Sequence, residues 1–198
     1  MRVAVTQRSA LLLVDVQRDF CPGGALPVEL GDKVAHALNE YVELFQARHL
    51  PVIASRDWHP ANHISFRERG GPWPNHGVQQ TEGAKFHPFL ALPTEAAIVS
   101  KGMDPEADAY SAFQGTSLAQ QLRATRVERV FLGGLPLDYA VKQTALDALE
   151  HGFQAFVLED AARPLELQRG DGLRALEEVV RHGAVLVRYE ELLRERQG

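Results

Sequence analysis

Short apolar, β-branched runs alternate with amphipathic helical stretches along the whole chain, and no low-complexity linker or internal repeat interrupts them. That alternation leaves few ways to bury the apolar surface. Strands separated by helix-length connections pair in parallel, and the connecting helices then cover both faces of the sheet. The strand candidates are Ala10 to Val16, Pro51 to Ser55, Ala96 to Ser100, Arg129 to Gly133, Gln154 to Leu158 and Ala184 to Val187. Helical periodicity spans Gly31 to Arg48, Ser117 to Ala124, Asp138 to His151, Gly170 to Arg181 and Tyr189 to Arg196. A length of 198 residues with 45% hydrophobic content suffices for one well-buried domain and is short for two. The expectation is a single domain over residues 1–198, a three-layer α/β fold of about six mostly parallel strands with helices on both faces.

The charge balance narrows the function classes. A net charge of -5 with no run of like sign offers no basic field for nucleic acid. The longest apolar runs, such as Ala10 to Val14, are too short to cross a bilayer, and the N-terminus has no signal-peptide core, so a cytoplasmic protein without membrane contact is expected. One cysteine, Cys21, excludes an internal disulfide and a cysteine-based zinc cluster. Small-molecule chemistry is what remains.

In open parallel sheets ligands bind beyond the carboxyl ends of the strands. Asp15 ends the first strand candidate, Asp57 follows the second, Lys101 the third, and Ala140 lies after the fourth. Four strand ends could therefore meet in one crevice. Asp15 reads either as a turn-capping carboxylate or as a desolvated general base. Lys101 reads either as a surface lysine at a strand end or as the partner of Asp15 and stabiliser of an anion. Asp57, His59, His63 and His76 carry the carboxylate and imidazole groups that suit zinc, iron, manganese or nickel, against the alternative of histidines bonded within a structured loop. Four of the eight histidines fall between Trp58 and Pro93, a stretch too long and irregular to be a simple connection. Phe20, Trp73 and Tyr110 either stack on a flat ligand or close the core. Cys21 reads as a turn cysteine, with a displaced nucleophile as the alternative.

The segments Leu12-Leu13-Val14-Asp15-Val16-Gln17, Asp19-Phe20-Cys21-Pro22-Gly23-Gly24-Ala25-Leu26, Arg56-Asp57-Trp58-His59-Pro60, Trp73-Pro74 with His76, Lys101-Gly102, Tyr110-Ser111-Ala112-Phe113 and Asp138-Tyr139 stand in an ordered series. With Ser65-Phe66, Gly83-Ala84 and Thr144-Ala145-Leu146-Asp147-Ala148, the series resembles the nicotinamidase and pyrazinamidase branch of the isochorismatase-like hydrolases. The resemblance implies a Rossmann-like fold and hydrolysis of nicotinamide to nicotinate and ammonia through a cysteine thioester. It implies Asp15 as base and Lys101 as the cation favouring the thiolate. One divalent metal ion would be held by Asp57, His59 and His76, with His63 a further ligand in some members. Phe20, Trp73 and Tyr110 would wall the pyridine pocket, with Leu135 and Pro136 at its turn. The partner is then a nicotinamide-like small molecule, and relatives that form dimers or larger assemblies imply a homo-oligomer.

Three positions depart from the pattern. The nucleophile position is Ala140, and a methyl group forms no thioester. Pro136 stands where an oxyanion-binding N–H is expected, and proline has none. Gly77 replaces a cysteine in the run after His76, a milder change. Three readings follow: an amide hydrolase with its thiol step lost or weakened, a metal-dependent binder of a pyridine-like metabolite, and a hydrolase that uses metal-activated water with Asp15 and Lys101. Whether the chain is an enzyme thus turns on Ala140.

Overall fold

The computed structural model describes residues 3–193. Its strands are β1 (Ser9–Val14), β2 (Val52–Asp57), β3 (Ala97–Lys101), β4 (Arg129–Gly134), β5 (Gln154–Ala162) and β6 (Val185–Val187). They form one sheet in the order β3-β2-β1-β4-β5-β6, with every neighbouring pair parallel. The helices are α1 (Gly31–Gln46), α2 (Leu118–Ala124), α3 (Lys142–Glu150), α4 (Asp171–Arg181) and α5 (Tyr189–Leu193). The three-layer α/β arrangement expected from the alternation is what the chain forms, and among the described residues its sheet is parallel throughout.

Alternation along β1 shows why two helical layers are needed. Leu11 and Leu13 join one core with Phe131, Phe156 and the α1 residues Val34, Leu38, Tyr41 and Phe45. Ala10, Leu12 and Val14 point the other way, into a core with α2, α3 and α4. The α1 residues recur every three to four positions, one stripe of an amphipathic helix. Phe131 stacks on Phe156 at 4.5 Å and meets Phe45 edge-on at 5.5 Å. Leu11, Leu12 and Leu13 are completely or almost completely buried, each worth roughly 1.5–3 kcal/mol in transfer terms. No helix of the described residues is long and apolar enough to cross a membrane.

Element ends differ from the expected ones, and several of the differences lie at the sheet's carboxyl edge. β1 stops at Val14 because Asp15 takes a left-handed φ of 50°, which lifts the following residues out of the sheet. β2 and β3 run on to include Asp57 and Lys101, which pair with one another in register. β5 continues to Ala162 past a register shift opposite Leu132 and Gly134. Asp138 does not open a regular α-helix: Leu137–Val141 forms one turn of π-helix before α3. The expected helix over Tyr189 to Arg196 is present to Leu193, and its last three positions lie outside the described residues.

Candidate active site

β1 and β4 are sheet neighbours, yet the chain leaves β1 towards β2 and leaves β4 towards β5. Connections that diverge in this way open a crevice above the carboxyl ends of the two strands. Asp15 stands at the end of β1, and the turn from Leu135 to Val141 stands at the end of β4. The 58–93 segment folds over the same edge, tied down by bridges between Gln17 and Phe86, His59 and Val78, and Phe66 and Trp73.

Three buried charged groups meet in the crevice. Lys101 Nζ lies 2.9 Å from Asp15 Oδ2, donates to Asp57 Oδ1, and reaches the Ala109 carbonyl at 3.3 Å. Asp15 is wholly buried, and Lys101 is 2% exposed. The Asp15 carboxyl is pushed up to about 6 by burial, against the opposing pull of Lys101 and with a further push from Asp57. Its Oδ1 accepts a 2.6 Å bond from Ser55, but Oδ2 receives no well-directed hydrogen bond despite the close ammonium. A buried carboxylate oxygen left in that state is an available proton acceptor. Burial opposes the charge on Asp57 as well, but Lys101, His59 and His76 hold its carboxyl well below the usual range. Burial also opposes the charge on Lys101, and the two carboxylates raise its pKa in spite of that. The two aspartates therefore have opposite tendencies: Asp57 stays ionised, and Asp15 can exchange a proton near neutrality.

Asp57, His59 and His76 bring one donor atom each to within 4.8 Å of one another, all three buried. His59 Nδ1 faces the Gly102 carbonyl at 2.9 Å and His76 Nδ1 faces the Pro74 carbonyl at 2.8 Å. Carbonyls only accept, so both Nδ1 atoms carry hydrogen, and each Nε2 is directed at Asp57, 3.5 and 3.6 Å from its oxygens. Two imidazole lone pairs and a carboxylate pointed at one place repel unless a proton or cation lies between them. Anchoring of the far ring nitrogen by a carbonyl is also the usual support of a metal-binding histidine. The donor set fits a divalent ion. Gly102 (φ 63°) is required beside it, because a Cβ there would lie 2.3 Å from His59 Cε1.

Above this group is a cavity lined by Phe20, Leu26, Asp57, Trp73, His76, Lys101, Tyr110, Pro136, Tyr139, Ala140 and Leu165. Trp73 Nε1 donates to Tyr110 Oη at 2.9 Å, which fixes two walls against each other. At the β4 end, Leu135-Pro136 is a cis peptide. Pro136 brings no N–H, and the next amide, Leu137, is bonded to the Arg163 carbonyl at 2.8 Å. The Tyr139 and Val141 amides both turn back to the Pro136 carbonyl. Ala140 presents its methyl group to the cavity, 3% exposed.

The structure thus collects Asp15, Phe20, Asp57, His59, Trp73, His76, Lys101, Tyr110, Pro136 and Ala140 in or directly against one site. Three residues do not join. His63 stands beside His59, but Nδ1 meets Ser65 Oγ at 2.7 Å and Nε2 meets the Ala107 carbonyl at 3.2 Å, so neither nitrogen is turned to the donor group. Leu135 is directed into the core below α1. Cys21 lies in that same core, and burial followed by Asp32 pushes its thiol up to about 12, which agrees with its reading as a turn cysteine.

Four residues were not singled out by sequence reasoning. Buried Gln17 donates to the Asp57 and Ala84 carbonyls at 2.9 Å and accepts from the Asp57 N–H at 2.8 Å. Asp19 accepts from the Gly77 N–H at 2.9 Å, holding the residue after His76. Phe66 packs edge-on against His59, His63 and His76. Tyr139 meets Trp73 at 5.0 Å. All four stand within the ordered segments of the sequence, but nothing in their spacing assigns them a role.

The isochorismatase domain model matches residues 9–190. The nicotinamidase of Escherichia coli is 42% identical, over 89% of this chain and 93% of its own length. Among solved structures, the pyrazinamidase of Pyrococcus horikoshii in complex with zinc is 50% identical, with a TM-score of 0.88 over 92% of this chain and 99% of that one. A protein of L. infantum in complex with nicotinate is 34% identical, with a TM-score of 0.89 over 97% and 98%. Similarity of this extent makes the chain a member of the isochorismatase domain family, in its nicotinamidase and pyrazinamidase branch.

Proposed function

We propose that this protein takes a nicotinamide-like pyridine carboxamide into the cavity and that the thioester route of its relatives is closed to it. The observation that carries the reading is the Ala140 methyl at the cavity wall, beside Lys101 and above Asp57. The turn that holds it has also lost a donor at Pro136, so two parts of the acyl-transfer machinery are missing together. Binding keeps its own parts. Phe20, Trp73 and Tyr110 offer faces and edges to a flat ring, and Asp57, His59 and His76 would hold a divalent ion. Such an ion supplies a Lewis-acid contact for a ring nitrogen and lowers the pKa of water it binds. The zinc and the nicotinate of the two solved relatives agree with that assignment.

One observation favours a second reading, amide hydrolysis by water. Asp15 has a buried Oδ2 with Lys101 Nζ at 2.9 Å and a pKa of about 6, the attributes of a general base, and Lys101 stands beside it to steady a developing anion. A pure binder has no use for that arrangement.

Calorimetric titration of the zinc-loaded protein with nicotinamide and nicotinate, beside an ammonia-release assay, separates the two. Saturable binding without ammonia is the expected result. Ammonia release above the metal-free background, abolished by Asp15→Ala, would overturn the binder reading in favour of water attack. Ala140→Cys is expected to release ammonia slowly, and Ala140→Cys with Pro136→Ala about a hundredfold faster, the effect of one oxyanion donor.

A further inference from the structure

The cavity is narrow and only partly enclosed, with Leu26, Tyr110, Tyr139 and Leu165 half-buried at its rim. Its volume is about 30 Å³, enough for a couple of waters at roughly 10–15 Å³ each and far less than a carboxamide-bearing ring fills. A ligand enters only if a wall moves, and most walls are tethered. Lys101 is held by Asp15, Asp57 and Ala109, Trp73 by Tyr110, and Asp57 by Gln17. Phe20 is 2% exposed within the α1 core.

Tyr139 differs from all of these. No hydrogen bond holds its hydroxyl among the described residues, and its ring is only partly buried. It also lines a solvent-facing groove beside the cavity. That groove is formed with Asp138, Lys142, Asp171, Arg174 and Glu178. The ring stands edge-on to Trp73 at 5.0 Å and tilted against Tyr110 at 5.8 Å, a panel between the two spaces. Its backbone belongs to the π-helical turn, a local geometry that recurs at functional sites. The groove's charges pair off, Lys142 with Glu178 at 3.1 Å and Arg174 with Asp171 at 2.6 Å, so its mouth holds no lone cation to trap an anion.

We propose that Tyr139 is the access-determining residue of this cavity: its ring turns out towards the Lys142 and Arg174 groove to admit a flat ligand and returns against Trp73 and Tyr110 to close over it. The identity of the ligand rests on the function proposed above, whereas the path of entry does not.

Two measurements test it. In a Trp58→Phe background Trp73 is the remaining tryptophan, and its quenching by acrylamide reports access to the cavity without any ligand. Tyr139→Ala is expected to raise the quenching constant at least threefold, with Tyr139→Phe unchanged and Leu165→Ala rising by less than half as much; equal quenching in Tyr139→Ala and the intact protein, or an equal rise in Leu165→Ala, overturns the proposal. In stopped-flow mixing with nicotinamide, the observed rate of the intact protein and of Tyr139→Phe should level off as ligand increases. Tyr139→Ala should rise linearly and exceed that plateau at least tenfold, and a shared plateau overturns the proposal. Absence of nicotinamide binding with the acrylamide contrast intact removes the ligand reading and leaves the door in place.

Discussion

Replacement of Gln17 by Met tests how far the site depends on one buried amide. Methionine has nearly the same length and fills the same space, so the change removes hydrogen bonds more than volume. Three are lost: the two donated to the Asp57 and Ala84 carbonyls and the one accepted from the Asp57 N–H. Each bond lost costs about 1–1.5 kcal/mol, the upper part of the usual range because the buried partner is left unpaired. Gln17 is 0% exposed, so water does not replace it, and the sum is a loss of about 3–5 kcal/mol. For a chain of this size that corresponds to a Tm lower by roughly 6–20 °C. Because the amide grips both sides of the Asp57 peptide, zinc affinity should fall about 10–100-fold as well, the usual effect of removing an outer support. Thermal unfolding of the metal-free protein and competition titration of zinc measure the two effects separately. A stability loss below about 1 kcal/mol together with unchanged zinc affinity would refute the role given to Gln17. Gln17→Glu keeps an oxygen to accept from Asp57 but loses both donated bonds and sets a carboxylate against two carbonyls, so it should be no better than Met.

The Asp15 carboxyl is at about 6 when folded and near its ordinary value of 3.8 in the unfolded chain. The native state therefore holds the extra proton between those values, and stability falls as pH rises through that window, by roughly 3 kcal/mol at 1.36 kcal/mol per unit. Urea unfolding of the intact protein minus that of Asp15→Asn should show this fall between about pH 4 and 6 and level off above it; a difference that rises with pH contradicts the assignment. Gly102→Ala places a methyl 2.3 Å from the His59 ring at a φ of 63°, and should lower stability by about 1–3 kcal/mol and weaken zinc binding more than Gly23→Ala, where a Cβ meets nothing. Equal effects at the two glycines, by thermal unfolding and zinc titration, would show that backbone strain alone is being measured.

Much of the site is legible in the order of residues along the chain. Parallel strands end on one edge of the sheet, so polar residues placed after consecutive apolar runs, Asp15, Asp57 and Lys101, were bound to come near one another. The motifs of the 58–93 stretch added His59, His76 and Trp73, and the same series marked Ala140 and Pro136 as departures. The layers themselves follow from local periodicity, since a run of alternating buried residues needs a helix on each side whatever its partners are. Other features depend on geometry that no local pattern encodes. A single left-handed residue at Asp15 ended β1 two positions early and turned Gln17 under Asp57, 40 residues away. His63 has the chemistry of a ligand, but bonds to Ser65 and Ala107 turn both its nitrogens elsewhere. Leu135 points down into the α1 core while Pro136 beside it faces the cavity, and Tyr139, within the π turn, borders both cavity and groove. Periodicity reports which side of an element is apolar; strand order, hydrogen bonds between distant segments and single backbone dihedrals set where each polar side chain points, and those are settled only when the whole chain packs.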